Sequence, residues 1–264
     1  MSTNHKISKK DIEELNYPDF VAFINQKNTP PGGEITTTAW TENGCINKDS
    51  HILDLACTTG FSSRTISLST GCSADGIDIS SKAIKGAQQE AETNKLNRLS
   101  YQVADACNLP FKEKTFTHVL GGCNFSFIQD REAALGECAR TLRTKGILCI
   151  SSFYYTKEPP EELLEEVYQA IGFKPNPEWT AAYWDKLFSK QFHKMWEEHY
   201  ELPTYDKIMV EKLIKQQIYT QELREKIKDN DILDACYAKL LRIRSTLNKH
   251  RDYQGFCIQI WTKK

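Results

Sequence analysis

The stretch His51-Ile-Leu-Asp-Leu-Ala-Cys-Thr-Thr-Gly-Phe61 decides the fold. Ile52 to Ala56 is a short apolar run and reads as a buried strand, and Phe61 to Ser69 follows as a helix. Between them lies a tight turn of small residues. A strand that passes through such a turn into a helix is the opening unit of an open α/β sheet. In that architecture the turn lies at the carboxyl edge of the strand, where ligands bind at the point at which the strand order reverses. Small residues let a ligand approach the backbone closely, and the first N–H groups of the helix are free to meet it.

The pattern continues downstream. Ser73 to Ile79 reads as a second strand, Ser80 or Ser81 as the cap of a helix through Asn94, and Leu99 to Ala104 as a third strand. Thr115 to Leu120 reads as a fourth strand, Asp130 to Leu142 as a helix stopped at Lys145-Gly146, and Ile147 to Phe153 as a fifth strand. Strands alternating with helices predict a doubly wound, mostly parallel sheet with helices on both faces and right-handed crossovers.

The flanks have a different texture. Residues 1–47 predict an N-terminal helical cap, with one helix over Pro18 to Asn28, a break at Asn28-Thr-Pro-Pro-Gly-Gly33, and a second helix over Ile35 to Trp40. Residues 48–155 form the α/β core. Residues 156–264 predict a helical insertion that supplies a substrate lid, together with the last strands of the same sheet. There, helices are expected over Pro159 to Ala170 and Thr180 to Ser189, a strand over His193 to Tyr200, two long amphipathic helices, and a closing strand over Gly255 to Trp261. Trp179, Tyr183, Trp184, Phe188, Phe192 and Trp196 either line an apolar pocket or form a second core under those helices.

Composition narrows the function. The 264 residues carry 34 Lys+Arg against 35 Asp+Glu, a balance that argues against a broad phosphate-neutralising surface and hence against a nucleic-acid partner. None of the nine cysteines falls in a CxxC pair, so no zinc-ligand spacing is present and no metal is expected. Free thiols in apolar runs suit a reducing compartment. Met1 to Lys10 has no apolar signal region, and no run of apolar residues is long enough to insert in a membrane, so the cytoplasm is the expected location.

Three carboxylates follow three consecutive strands: Asp54, Asp78 in Gly76-Ile-Asp-Ile79, and Asp105 in Val103-Ala-Asp-Ala106. Asp78 stands about 20 residues past the turn, where a carboxylate can accept hydrogen bonds from two ribose hydroxyls. Asp105 stands where a carboxylate can accept from an adenine amino group.

Together, Asp54-Leu-Ala-Cys-Thr-Thr-Gly60, Asp78-Ile79 and Ala104-Asp-Ala106 resemble the successive motifs of class I, Rossmann-like S-adenosylmethionine-dependent methyltransferases. Asn108-Leu-Pro-Phe111, Thr115-Phe-Thr-His-Val119 and Leu142-Arg-Thr-Lys-Gly-Ile-Leu148 are similar to that family's stretches around the fourth and fifth strands. The resemblance covers about residues 30–155 and is nearest the small-molecule branch. It implies a seven-stranded sheet, S-adenosyl-L-methionine as cofactor, S-adenosyl-L-homocysteine as product, and a small-molecule acceptor. It also implies roles. Asp54 would sit near the methionine amino group, and the backbone of Ala56, Cys57, Thr58 and Gly60 would pass the sulfonium end. Asp78 would hold the ribose, Ile79 would pack on adenine, and Asp105 and Ala106 would read the adenine edge. Gly122 or Cys123 would offer a carbonyl to the amine. The loop Pro31-Gly-Gly-Glu-Ile-Thr36, with Gly32, Gly33 and Thr36, resembles one that meets the cofactor carboxylate, and consecutive glycines can form an anion-binding nest. Ala56 and Thr58 depart from the pattern, standing where the family usually has glycine. Thr58 is β-branched and disfavours positive φ, so either the turn does not require it there or the cofactor pose shifts.

No catalytic base declares itself. His118 is expected as a packed strand residue, His193 and His199 as exposed, and Tyr154 and Tyr155 either as packing or as lining on the substrate side. A nicotinamide-dependent oxidoreductase would share the strand–turn–helix but needs G-x-G-x-x-G, which is missing. A non-catalytic S-adenosylmethionine-binding protein would keep the three carboxylates.

Overall fold

A computed structural model describes residues 7–24, 26 and 29–264. The basic start, Met1 to Lys6, and the helix end expected at Asn28 lie outside the described residues. In chain order the elements are helices α1 (Lys9–Glu14), α2 (Tyr17–Phe23) and α3 (Glu34–Asn43), then β1 (His51–Leu55), α4 (Phe61–Thr70), β2 (Ser73–Asp78), α5 (Ser81–Thr93) and β3 (Leu99–Val103). There follow β4 (Phe116–Gly122), a 3-10 turn (Asn124–Ser126), α6 (Arg131–Thr141), β5 (Leu142–Tyr155), α7 (Glu161–Ile171), α8 (Ala181–Phe188) and β6 (Phe192–Glu201). Helices α9 (Lys207–Ile218), α10 (Gln221–Lys226) and α11 (Asn230–His250), a 3-10 turn (Arg251–Tyr253) and β7 (Gln254–Lys263) complete the chain.

Two compact units result. One comprises residues 27–155, 178–201 and 255–264, the other residues 1–26, 156–177 and 202–254, so the units interleave along the chain and do not follow the three sequence stretches. The first holds a single seven-stranded sheet in the order β3-β2-β1-β4-β5-β7-β6. Pairings β1 with β2 and β4, β2 with β3, and β4 with β5 are parallel, whereas β6 and β7 are antiparallel. The order reverses between β1 and β4, which makes their carboxyl ends the switch point of the sheet. Central strands β1 and β4 are almost wholly buried, as a sheet covered on both faces requires.

Local chemistry sets the element ends. The Ser80 hydroxyl accepts from Ala83 N and starts α5, the Asp130 carboxylate accepts from Ala133 N at α6, and the Thr180 hydroxyl accepts from Tyr183 N at α8. The junction of α6 and β5 differs from the sequence expectation. Helix α6 ends at Thr141 and Leu142 is already extended, so Lys145-Gly146 is no helix stop. It forms a bulge inside β5, where the pairing with β4 shifts between Phe116 and His118 and Lys145 takes a positive φ of 58°. A Cβ on Gly146 would lie 2.9 Å from Arg143 O and Leu142 Cδ2, so the glycine is required by crowding inside a strand.

The second unit is helical. Ile12, Phe20, Ile24, Val210, Ile214, Ile218, Leu233, Cys236, Leu240 and Ile243 form its core, so the stripe expected on the last long helix faces inward. Lys239 is buried there and donates to Ile12 O, Glu13 O and Leu15 O, satisfying carbonyls at the C-terminal end of α1. Among the described residues no helix is long and apolar enough to cross a membrane.

Candidate functional site

The rim of the sheet is set by strand register. Asp54 pairs with Gly76 and Leu120, and Leu55 with Ile77, so the next residues out, Ala56 and Asp78, stand level where β1 and β2 finish. Asp78 pairs with Val103, which leaves Asp105 two residues further along the same edge. The three carboxylates therefore share one edge of one sheet, beside the switch point.

The turn between β1 and α4 is left-handed at alternate residues: φ is 49° at Ala56, 49° at Thr58 and 73° at Gly60. Of the two alternatives left open by Thr58, the structure takes the left-handed turn without the glycines. Hydrogen bonds over-determine it. Cys57 N donates to Ile77 O (2.8 Å), Thr58 N to the Asp78 carboxylate (3.0 Å), and Gly60 N to Cys57 O (2.7 Å). Tyr101 braces the turn from β3: its hydroxyl lies 3.1 Å from Ser63 Oγ, and a Cβ on Gly60 would fall 2.6 Å from that hydroxyl. Tyr101 was not singled out from sequence, and its signal is the pair of glycines, Gly60 and Gly76, that make room for the ring.

Asp54 is 5% exposed and its carboxylate accepts from Ser63 N (3.1 Å) in the first turn of α4. Burial pushes the Asp54 carboxyl up to about 6, against the downward pull of the Ser63 hydrogen bonds and the Arg64 charge. Asp78 is also buried; one oxygen accepts from Thr58 N and the other from Ser80 N (2.8 Å). Asp78 thus ties the turn to the start of α5, and each oxygen retains a lone pair.

Ile79, next along, is 78% exposed, a bare apolar face at the rim. Asp105 is exposed and closes an Asx turn with Cys107 N (2.8 Å), while Ala106 is buried. The loop that follows is clamped by a pair on α6. Glu137 accepts from Leu109 N, and Arg140 donates to Phe111 O, Leu109 O and Glu137 itself. The Arg140 guanidinium holds the Glu137 carboxyl below the usual range.

Across the switch point, Gly122 ends β4 against Pro30, where a Cβ would meet the proline ring at 2.8 Å. Cys123 is left-handed (φ 65°) and donates its N–H to Ser151 O. Gly32 (φ 83°) and Gly33 (φ 56°) lead into α3, with Gly33 as its N-cap. The Thr36 and Ser151 hydroxyls both donate to Pro31 O, which fixes this loop to α3 and β5. Asn124 was missed from sequence. Its Nδ2 donates to Leu55 O, bridging the ends of β4 and β1, and its Oδ1 is buried and has no hydrogen-bond partner. The sequence signal was a polar residue directly after the fourth strand.

Other candidates resolve as follows. His118 is buried, with Nε2 at 2.9 Å from Gly44 O and Nδ1 at 2.7 Å from the Thr117 hydroxyl, and burial lowers its pKa: a satisfied core histidine. Tyr154 Oη lies 2.9 Å from His199 Nδ1, and His199 Nε2 lies 3.3 Å from Glu197, so those two candidates meet over β7. Trp184, Phe188 and Phe192 are core residues of the sheet unit, packed with Phe125 and Trp261, which removes them from a lid. Cys57 packs beside Gly76 and burial pushes its thiol far up, so it is an inert core thiol. Among the described residues no group of three or more His, Cys, Asp and Glu could hold a metal ion.

Comparison with known proteins gives the family. The methyltransferase domain family matches residues 53–150, the span from β1 into β5. The chain belongs to the class I S-adenosylmethionine-dependent methyltransferases, a family of enzymes. It is similar to the MccD protein of known crystal structure, at 47% identity and a TM-score of 0.80, covering 90% of this chain and all of that one. It is 30% identical to a demethylmenaquinone methyltransferase of Lactiplantibacillus plantarum over 155 residues, which span 56% of this chain and 61% of that protein. The fold is also that of a Haemonchus contortus phosphoethanolamine N-methyltransferase, with a TM-score of 0.69 at 16% identity over 98% of this chain and 58% of that one.

Proposed function

We propose that the protein binds S-adenosyl-L-methionine across the rim of β1, β2 and β4 and transfers its methyl group to a small-molecule acceptor. The observation that carries this reading is the gathering of Asp54, Asp78, Ile79 and Asp105 on one edge beside the switch point. The residues fit the cofactor. A buried carboxylate at Asp54 suits a cationic amine, the free lone pairs of Asp78 suit ribose hydroxyls, and the bare Ile79 side chain suits a flat base. The start of α3 after Gly33 suits the carboxylate.

When bound, the cofactor supplies a methyl group already activated by its sulfonium. The protein's part is to hold and exclude. Asp78 fixes the nucleoside and, through Thr58 N, the turn beneath it. Asp54 and the carbonyls of Gly122 and Cys123 orient the amine. Asp105 and Ala106 select adenine. In-line geometry then lowers the barrier by positioning. A small molecule is favoured by the near-neutral charge and by Gly121-Gly-Cys-Asn-Phe-Ser-Phe127 after β4, which lacks the Asn-Pro-Pro-Tyr string of nucleic-acid amino-group methylators.

The test is turnover of methyl-labelled S-adenosyl-L-methionine against pooled metabolites, with RNA and DNA as separate arms. Label is expected in a small-molecule fraction, and Asp78→Asn should lower kcat/KM by about 100-fold, mostly through the KM for the methyl donor. Label in nucleic acid alone, or none anywhere, would contradict the proposal.

A further inference from the structure

Tyr154 and His199 have no part in the carboxylate rim, yet they meet at the end of the sheet, and every group in their contact chain belongs to the sheet unit. The last pair between β4 and β5 is Gly122 with Ser151, so Tyr154 stands three residues, about 10 Å, past the end of β4 on the edge that holds the switch point. Its hydroxyl lies 2.9 Å from His199 Nδ1, and the two rings meet edge to face with centroids 5.2 Å apart. A glycine near the start of β7 makes room for this contact: a Cβ on Gly255 would fall 2.9 Å from the Tyr154 hydroxyl.

On its other side, His199 Nε2 lies 3.3 Å from Glu197 Oε1. Glu197 is itself held, by Lys194 at 2.9 Å and by Gln259 Nε2 at 2.6 Å, and Asp185 accepts from the same two residues. Against the upward push of burial, Lys194 and Gln259 keep the Glu197 carboxyl below its usual range.

These contacts fix the direction of each proton. An ionised Glu197 only accepts, so neutral His199 carries its proton on Nε2 and presents a lone pair at Nδ1. The Tyr154 O–H donates to Nδ1. Among the described residues no other group bonds the Tyr154 oxygen, so its lone pairs are left for an incoming donor. The His199 side chain is 43% exposed, which opens the group to a ligand and to water. A contact that only tied β5 to β6 across β7 would need neither that access nor a carboxylate behind the imidazole. A hydroxyl that can accept a proton while passing its own to a carboxylate-backed imidazole is built as a general base.

We infer that Tyr154, backed by His199 and Glu197, takes the proton of a hydroxyl acceptor; the inference rests on the methyl-transfer reading. A hydroxyl is a poor nucleophile until its proton starts to leave, whereas a thioether has none to lose and a free amine attacks before losing one. As the hydroxyl oxygen bonds to the methyl carbon, the electron pair of the breaking methyl–sulfur bond stays on sulfur and leaves S-adenosyl-L-homocysteine neutral. The hydroxyl proton passes to Tyr154 Oη, the tyrosine's own proton passes to His199 Nδ1, and the imidazolium, paired with Glu197, then releases a proton to water.

The test uses the full chain, methyl-labelled S-adenosyl-L-methionine and pooled small metabolites, and separates methyl ethers from methylated sulfur and nitrogen in the product. Label is expected in an ether. Tyr154→Phe should lower the rate at saturating methyl donor about 100-fold and His199→Ala about as much, with calorimetric affinity for S-adenosyl-L-homocysteine unchanged. Free imidazole should restore part of the rate to His199→Ala and none to Tyr154→Phe. His193→Gln, near the start of the same strand, should change nothing. Apart from turnover, nitrogen NMR of the chain without cofactor, in mildly alkaline buffer, should show His199 protonated at Nε2 and bare at Nδ1. Circular dichroism checks that each variant is folded, and Tyr154→Phe, which removes one oxygen, carries the test if the alanine variant is not. No label from the wild type would overturn the methyl-transfer reading and this inference together. An undiminished rate in Tyr154→Phe, label on sulfur or nitrogen, or a proton on His199 Nδ1 would overturn this inference alone.

Discussion

Asp54 is the residue where fold and proposed chemistry meet most sharply. Its folded-state pKa of about 6 lies above the ordinary 3.8, because burial penalises the charge more than the Ser63 hydrogen bonds favour it. The native state therefore holds the proton more tightly than the unfolded chain. The stability this contributes is fully present below pH 3.8 and is lost as pH rises through 6, amounting to about 3 kcal/mol across that window. Asp54→Asn keeps the shape without the charge. Relative to wild type it should gain stability between pH 4 and pH 7.5, by up to that amount, in denaturant titrations at the two pH values. An unchanged difference would mean that Asp54 is not desolvated as described. An ionised carboxylate kept buried at neutral pH at such a cost is what a site for a cationic amine needs.

At the scale of elements, the β1–α4 turn carries the clearest departure from its family. Thr58 and Ala56 hold left-handed backbone that costs an L-residue about 1–2 kcal/mol, more for a β-branched one. Thr58→Gly removes that strain at the expense of some chain entropy and should stabilise the protein by about 1 kcal/mol, measured as the urea midpoint at unchanged slope. A loss of stability would show that the Thr58 side chain, rather than its backbone N–H to Asp78, holds the turn. The strands, their order of appearance and the acidic rim were legible in sequence because apolar runs and strand-end carboxylates are local signals. What was not legible depended on distant chain. The Lys145-Gly146 bulge looks like a helix stop until β4 is laid beside it. Tyr101 and Asn124 gain their roles only when β2 and β4 flank β1 and β3 lies beyond β2. Thr58 could not be read either way because its φ is imposed by Ile77 and Asp78 on the neighbouring strand.

At the scale of the molecule, the chain visits each unit three times, so 156–177 and 202–254 build a helical unit while 178–201 and 255–264 return to finish the sheet. The helical insertion and the last strands expected together in 156–264 are interleaved there, with β6 pairing with β7 across the intervening helices. The helical unit has its own core, whereas the sheet unit has the switch point and the carboxylate rim.

Calorimetric titration of the full chain with S-adenosyl-L-homocysteine, with NADH in parallel, tests the placement of the nucleoside most directly. The account predicts saturable binding of S-adenosyl-L-homocysteine, none of NADH, and a loss of about tenfold or more in Asp78→Ala and in Asp105→Ala alike. Binding of NADH alone, or S-adenosyl-L-homocysteine bound with the same affinity by both variants, would contradict it.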